Sequence, residues 1–386
     1  MMISIILGTR PEIIKMSPVV RECEKQDLDY FILHTGQHYS YNLDKIFFQD
    51  LDLPAPKYNL DVGSGSHAEE TGKMLIGIEK ILKEEKPDIV LVEGDTNTVL
   101  AGALAATKLH VKVGHVEAGL RSYDRTMPEE INRVLADHVS DYLFAPTEKA
   151  KENLLREGIE EDKIFVTGNT IVDAVYQNLE IARRKVNILN KLNLNSKDYF
   201  LVTAHRQENV DNKERLKGIL EGLELVHDEF NLPIIYPIHP RTKKKIREFG
   251  LEIPEEIRLI EPLGFLEFLQ LEADAKLVLT DSGGVQEETC ILKVPCVTLR
   301  DNTERPETLE VGSNVLAGTN QTRILDSVRV MLNKQALGKL NQQTFKKSLT
   351  KNAVRASSNW RNPFGEGEAG KRIIKILGDG NDGQSA

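Results

Sequence analysis

Short apolar runs recur along the first 170 residues: "ISIILG", "YFILHT", "DIVLVEG", "VKVGHVEA", "DYLFAP" and "IFVTG". Between them lie stretches with helical spacing. The clearest is "HAEETGKMLIGIEKILKEEK", where Met74, Ile78, Ile81 and Leu82 share one face and charges take the other. Runs that are apolar at nearly every position, instead of alternating, are strands buried on both faces. Alternating with amphipathic helices, they predict a parallel sheet covered on both sides. The pattern restarts after residue 195 with "YFLVTA", "PIIYPI", "IRLIE", "KLVLT" and "PCVTL". The polar stretch "NLEIARRKVNILNKLNLNSKD" joins the two halves. The expected architecture is therefore α/β: two Rossmann-like doubly wound domains, residues 1–170 and 171–362, facing a central cleft. With 386 residues, each has enough chain for its own core. The stretch "NPFGEGEAGKRIIKIL" reads as a glycine-broken turn followed by a helix over about 363–378, and residues 379–386 as a disordered tail.

The bulk numbers remove several classes of function. A formal net charge of -9 argues against a dominant nucleic-acid surface, while leaving room for a local basic pocket. Three cysteines without CxxC spacing, Cys23, Cys290 and Cys296, fit a reducing compartment. Cys290 and Cys296 flank a helix end and a strand start, and read as small core residues. The N-terminal apolar run is too short for a signal peptide and lacks a basic leader, and no stretch approaches the length of a membrane span. The expectation is a cytoplasmic protein with neither membrane nor nucleic acid as partner.

Parallel sheets bind ligands beyond the carboxyl ends of their strands. The polar signatures stand there: "GTRPE", "TGQH", "GDTNT" and "EAGLRS" in the first half, "AHRQEN", "HPRT", "EPLGF" and "DSGG" in the second. In "LTDSGGVQEET", Ser282 can cap a helix, while Gly283 and Gly284 let backbone amides approach an anion. Glu288 follows one to two turns on, and its carboxylate can accept two hydrogen bonds from a vicinal diol such as a ribose. Phosphate beside ribose means a nucleotide. A glycine turn with a solvated acidic helix is the plainer alternative. NAD and P-loop chemistry are both disfavoured. No GxGxxG follows a strand, and in "GSGSHAEETGKM" His67 replaces the first glycine and Met74 the Ser/Thr.

Arg10 and Lys15 flank the first helix start, and Arg305 precedes Pro306 at another. Such cations can grip a diphosphate, or each can form a surface salt bridge. Asp95 and Glu117 follow apolar strands, where burial can raise a carboxyl pKa. Glu130, in a first helical turn, can compensate the dipole and pair with Arg133, and the plain dipole role holds above all for Glu129. His205 ends the first strand of the second half. His34, His38 and His115 lack a third ligand at metal spacing, so no metal is expected.

Ten motifs in order, "GTRPEIIKMSPVV", "HTGQH", "GDTNT", "GHVEAGLRS", "MPEEINR", "VTGNTIVDAV", "TAHRQEN", "LTDSGGVQEE", "RDNTERPET" and "NPFGEGEA", resemble the non-hydrolysing UDP-N-acetylglucosamine 2-epimerases over nearly the whole chain. The resemblance implies the two-domain glycosyltransferase-B fold, with the last helix crossing back onto the first domain. It implies uridine diphosphate contacts from Arg10, Lys15, Ser282, Gly283, Gly284, Glu288 and Arg305, with Leu263 (through its backbone) and Phe268 facing uracil. It further implies a catalytic set of Asp95, Glu117 and Glu130 with His205, no cofactor, and a homodimer. The reaction implied is reversible epimerisation at C2 of UDP-N-acetylglucosamine to UDP-N-acetylmannosamine, through 2-acetamidoglucal. The rivals are a hydrolysing epimerase releasing N-acetylmannosamine, a UDP-sugar transferase of the same architecture, and a non-catalytic sensor. In one place the chain departs from the family. Members activated by their own substrate carry a basic–Gln pair where this chain has Ser66 and His67. Gln37 is kept, and the pattern is closer to archaeal members.

Overall fold

The computed structural model describes residues 1–36, 41–332 and 360–382; Gln37 and His38 of the "TGQH" motif lie outside them. The first sheet contains β1 (Met2–Leu7), β2 (Asp29–His34), β3 (Tyr58–Asn59), β4 (Ile89–Glu93), β5 (Lys112–Val116), β6 (Tyr142–Ala145) and β7 (Ile164–Val166). Their spatial order is β3-β2-β1-β4-β5-β6-β7, and every pairing is parallel. The second sheet contains β8 (Phe200–Thr203), β9 (Ile234–Pro237), β10 (Ile257–Ile260), β11 (Leu277–Thr280), β12 (Cys296–Thr298) and β13 (Asn314–Leu316). Its order is β10-β9-β8-β11-β12-β13, again all parallel.

Each sheet is laid down outward from its first strand and then resumes on the other side of it. The order therefore reverses between β1 and β4, and between β8 and β11. Helices leave the two neighbouring strands toward opposite faces at such a point, opening a crevice at their carboxyl ends. The apolar runs of the sequence are all the strands except β3 and β13; every residue of β4 is buried. β3 and β13 were not legible as runs, because they are short edge strands in which Asn59 and Asn314 interrupt the apolar pattern.

The helix His67–Glu85 shows why the helical segments form where they do. Ser66 caps it by accepting from the Glu69 amide at 3.3 Å. Met74, Ile78, Ile81 and Leu82 are buried, and such a side chain contributes about 1.5–3 kcal/mol when taken fully from water. The three cysteines are buried thiols. No described helix is long and apolar enough to cross a membrane.

The chain divides into two compact units: unit 1, Met1–Gln177 with the stretch from Phe364 onward, and unit 2, Asn178–Pro363. The division falls inside the helix Thr170–Lys185 instead of in the loop before it. The last helix, Ala369–Asp382, packs on the helix Arg10–Lys25 of unit 1. The amides of Ala369 and Gly370 are both held by Asp173, at 3.1 Å. The tail expected to be disordered from 379 is helical through Asp382. Once Ile373, Ile374 and Leu377 are docked, propagation through Gly378 and Gly380 costs only about 1 kcal/mol per glycine. Residues 383–386 lie outside the described chain.

Candidate active site

The polar residues of unit 1 gather where β1 meets β4. Thr9 precedes the helix Arg10–Lys25, and Glu12 closes a capping box with it. The Glu12 carboxylate takes the amides of Gly8 at 2.6 Å and Thr9 at 2.7 Å, and the hydroxyl of Thr96. One buried carboxyl thus ties the loop after β1 to the loop after β4. Burial pushes it up to about 7, with the three donors pulling the other way. The Arg10 guanidinium lies 5.4 Å from the centre of the Phe47 ring. Lys15 points to the sheet edge, bonding Glu117 and standing 3.2 Å from Glu93 Oε1. Glu93 is the last residue of β4 and only 2% exposed. Burial drives its carboxyl well above the usual range, Lys15 opposing.

Glu117 follows β5 with φ +69°, a left-handed conformation that costs a non-glycine residue about 1–2 kcal/mol. Its surroundings enforce it. Asp137 pairs with His115 at 2.6 Å and Arg121 at 2.7 Å, and accepts the Gly119 amide at 3.2 Å. The other His115 nitrogen reaches the Gly94 carbonyl at 2.8 Å. Burial alone would lower the His115 pKa, but Asp137 and that carbonyl outweigh it and hold the ring above its usual value. His115 is thereby a clamp between the loops after β4 and β5. Among the described residues no three His, Cys, Asp or Glu side chains are grouped to hold a metal.

Asp95 follows Gly94, whose φ of +86° needs glycine for the turn. Arg133 bridges Asp95 at 2.6 Å and Glu130 at 2.7 Å. Glu130 also accepts from the Ser122 amide (2.9 Å), the Ser122 hydroxyl (3.0 Å) and the Tyr123 amide (2.9 Å). Burial raises its pKa, but these donors prevail and hold it below the usual range. The pairing with Arg133 foreseen for Glu130 is present, and its oxygens are committed to donors. Glu130 therefore orients Arg133, which in turn holds Asp95, itself 31% exposed.

In unit 2 the organising group is Asp281, wholly buried at the end of β11. It accepts the His205 amide (3.0 Å), the Arg206 amide (2.9 Å) and the Asn209 side chain (3.0 Å), fixing the loop after β8 to the loop after β11. The His205 ring is 46% exposed, with Nδ1 3.4 Å from Thr203 Oγ1. Ser282 stands at the N-cap of the helix Gly283–Leu292, but its hydroxyl makes no capping bond, against expectation. The Ser282 amide is instead drawn back to Thr280 Oγ1 at 2.9 Å, which leaves the side chain turned away from the first-turn amides. A Cβ added at Gly283 would come no closer than 3.7 Å to another atom, and at Gly284 no closer than 3.9 Å. The protein itself has room for side chains there.

Glu288, on that helix, is backed by Glu272 from the helix Phe265–Asp274; Glu272 is fully buried and its carboxyl is within hydrogen-bonding reach of Glu288. Burial pushes Glu288 up to about 7 and Glu272 well above the usual range, the second pushed further by its neighbour. Leu263 and Phe268 are half-buried against the cluster that includes Val285 of the same helix. Arg305 Nε lies 2.7 Å from Glu287 Oε1. The loop leading to Arg305 is braced by buried Arg300, which grips Glu304 with two bonds (2.8 and 2.9 Å) and Glu208 with one (2.8 Å). Arg300 pulls Glu304 down to about 2.

A profile described as UDP-N-acetylglucosamine 2-epimerase matches residues 21–378. The chain belongs to the UDP-N-acetylglucosamine 2-epimerase family. The UDP-N-acetylglucosamine 2-epimerase of Methanocaldococcus jannaschii is 60% identical over 383 residues, covering 98% of this chain and 99% of that one. That of Methanococcus maripaludis is 55% identical, covering 97% and 98%. A crystal structure of the M. jannaschii epimerase in complex with UDP-GlcNAc and UDP superposes with a TM-score of 0.79 at 60% identity, covering 98% of this chain and all of that one. The archaeal character read from the Ser66–His67 pair agrees with these relatives. In this epimerase-family chain Ser66 caps a helix and His67 Nδ1 lies 3.2 Å from the Asn97 side chain.

Of the residues singled out in the sequence, Lys15 meets Glu117, and Arg133 links Asp95 to Glu130. His205 is tied to the residue just before Ser282. Arg10 stands apart from these pairs, over Phe47. Glu12, Glu93, Glu272, Asp281 and Arg300 were not singled out. Glu93 had a signal: it is the one acidic residue closing an otherwise apolar strand. Glu272 had none, since a glutamate in an amphipathic helix reads as a solvated face.

Proposed function

We propose that the chain interconverts UDP-N-acetylglucosamine and UDP-N-acetylmannosamine without hydrolysis. The supporting observation is the pair of carboxyl groups at the reversal of the first sheet, each with its own cation: Asp95 with Arg133, Glu117 with Lys15. Inversion at C2 must remove a proton from one face of the sugar and deliver one to the other, so it needs two carriers that are aimed independently.

The C2 hydrogen has no adjacent carbonyl and is not acidic in the substrate. Departure of UDP from C1 places positive character at C1 and makes that hydrogen removable. The electron pair of the C2–H bond becomes the C1=C2 bond of 2-acetamidoglucal, and the C1–O pair leaves with UDP. The Ser282–Gly284 turn at a helix N-terminus, Arg10, Arg305 and His205 stabilise the growing phosphate charge. Glu288 takes the ribose hydroxyls, and Leu263 with Phe268 the uracil. Re-addition of UDP to C1, with a proton delivered to the other face of C2, completes the inversion. General acid–base help of this kind contributes on the order of 10²–10⁴ in rate.

Incubating the protein with UDP-N-acetylglucosamine alone in heavy water and following it by NMR tests the reading. The expected product is UDP-N-acetylmannosamine carrying deuterium at C2. Free N-acetylmannosamine and UDP would mean a hydrolysing enzyme. UDP-sugar binding with no exchange at C2 would mean a sensor.

A further inference from the structure

Lys15 stands between two carboxyl groups instead of one. Its ammonium bonds Glu117 and lies 3.2 Å from Glu93 Oε1, and the Glu93 and Glu117 side chains are within hydrogen-bonding reach of each other. The three are 17%, 2% and 9% exposed. Glu93 Oε1 is buried and receives no hydrogen bond. Two carboxylates beside one ammonium would leave a net negative charge largely out of water, which desolvation disfavours. Two carboxyls close together relieve this by sharing one proton. Among the described residues, Glu12 on the helix carrying Lys15 adds negative charge beside Glu93, and His115 on β5, which acts on Glu117, is already committed to Asp137 and the Gly94 carbonyl. Neither supplies a proton to the pair.

We propose that Glu93 is a positioning residue that holds a proton for Glu117, the two carboxyls keeping one proton between them beside Lys15. With the proton on Glu93, Glu117 is a carboxylate able to take hydrogen from C2. With the proton passed to Glu117, the same group is an acid able to give it. In the direction in which Glu117 donates, its O–H bond breaks and a C2–H bond forms from the glucal double bond, while UDP oxygen closes on C1. The pair is left with no proton, Asp95 carries the one taken from the opposite face, and the total charge is unchanged. Asp95 then releases its proton to water and the pair regains one from water. This inference rests on the proposed epimerisation.

Glu93→Gln tests it, because the amide keeps the shape and can still donate to Glu117 but has no proton to pass on. Initial rates across pH should show kcat near neutrality reduced about 10–100-fold. The loss should shrink about tenfold per pH unit as the solution is made more acidic, with KM for UDP-N-acetylglucosamine and the Kd for UDP within about twofold of wild type. A loss that is the same at every pH, or no loss, would overturn the proposal. A second measurement needs no activity. Carbon-13 NMR of glutamate-labelled wild-type protein should show, besides the protonated carboxyls of Glu12, Glu272 and Glu288, one further carboxyl proton retained at neutral pH that vanishes in both Glu93→Gln and Glu117→Gln. Its absence from the wild type would sink the proton store, whereas its presence in a protein that does not epimerise would sink the proposed function instead.

Discussion

The two units follow one plan, a parallel sheet with polar loops where the strand order reverses, and both contain carboxylate–cation pairs, yet they hold the carboxylate at the centre of those loops by different means. In unit 1 the carboxylates are matched by side-chain cations: Lys15 for Glu93 and Glu117, Arg133 for Asp95 and Glu130, Arg121 and His115 for Asp137. In unit 2 the central carboxylate, Asp281, is spent on backbone amides and Asn209, and the glycine turn beside it is left open. The difference suits the two tasks. A proton carrier must be aimed and its charge balanced by neighbours, whereas an anion grip needs amides left open to the anion, and Arg305, held by Glu287 at 2.7 Å, has to exchange that partner for it. Substitutions at the carboxylates of unit 1 should therefore act on turnover with nucleotide affinity retained, and those at the glycine turn of unit 2 on affinity.

The largest effect is expected at the carriers themselves. Glu117→Gln or Asp95→Asn should cut deuterium incorporation at C2 by about 10²–10⁴ while calorimetry still records UDP binding. Full exchange in both variants would end the division of labour. His205→Ala should come next. It removes an exposed ring at the phosphate side, and both UDP affinity and turnover should fall, kcat by up to about 10²-fold. Unchanged kinetics would take His205 out of the site.

Gly284→Ala sharpens the contrast because stability and binding should move apart. The added methyl meets no atom of the protein within 3.9 Å. Replacing glycine in a helix commonly stabilises by about 0.5–1 kcal/mol, so the melting temperature should hold or rise. UDP affinity should drop about tenfold, since the methyl stands where an anion would approach the first-turn amides. Retained affinity would mean that the turn is open to solvent for no ligand's sake.

These contrasts also explain what could be read in the chain beforehand. The strands other than β3 and β13, with their helices, were legible because burial leaves continuous apolar runs such as "DIVLVE". β3 and β13 were not, being short edge strands interrupted by Asn59 and Asn314. Asp95, Glu117 and the Ser282 turn were legible because they stand directly after strands, where the fold places its ligands. Their supports were hidden. Asp281 stands next to a motif but acts through two backbone amides and a side chain brought in from the loop after β8, contacts that no spacing encodes. Arg300 and Glu304 are an i,i+4 pair by number, yet they lie in a loop, so the spacing carries no helical meaning. The uncapped Ser282 shows the same limit: its residue type suits an N-cap, but Thr280 two residues earlier takes the amide and settles the geometry.

The smallest effect concerns the place where unit 2 breaks its own rule. Glu272 is buried beside half-buried Glu288, with no cation paired to either among the described residues, unlike any carboxyl pair at the edge of unit 1. Burial raises both, Glu288 to about 7. A carboxyl raised in the folded state binds a proton that the unfolded chain has already released. Its stabilisation is complete below the ordinary glutamate pKa, is lost as pH climbs through the folded value, and levels off above about 7. Each such proton gives a slope of at most about 1.4 kcal/mol per pH unit. Glu12 and Glu93 in unit 1 are raised in the same way, so the wild-type fall contains their contributions as well. Glu272→Gln separates them, because it removes one carboxyl of unit 2 and lets an amide donate to Glu288 while Glu12 is untouched. Chemical denaturation between pH 5 and pH 8 should show the variant losing less stability than wild type over that interval, by about one proton's worth. An identical slope in both proteins would mean that the two glutamates do not share a proton, and that unit 2 keeps its charges apart as strictly as unit 1.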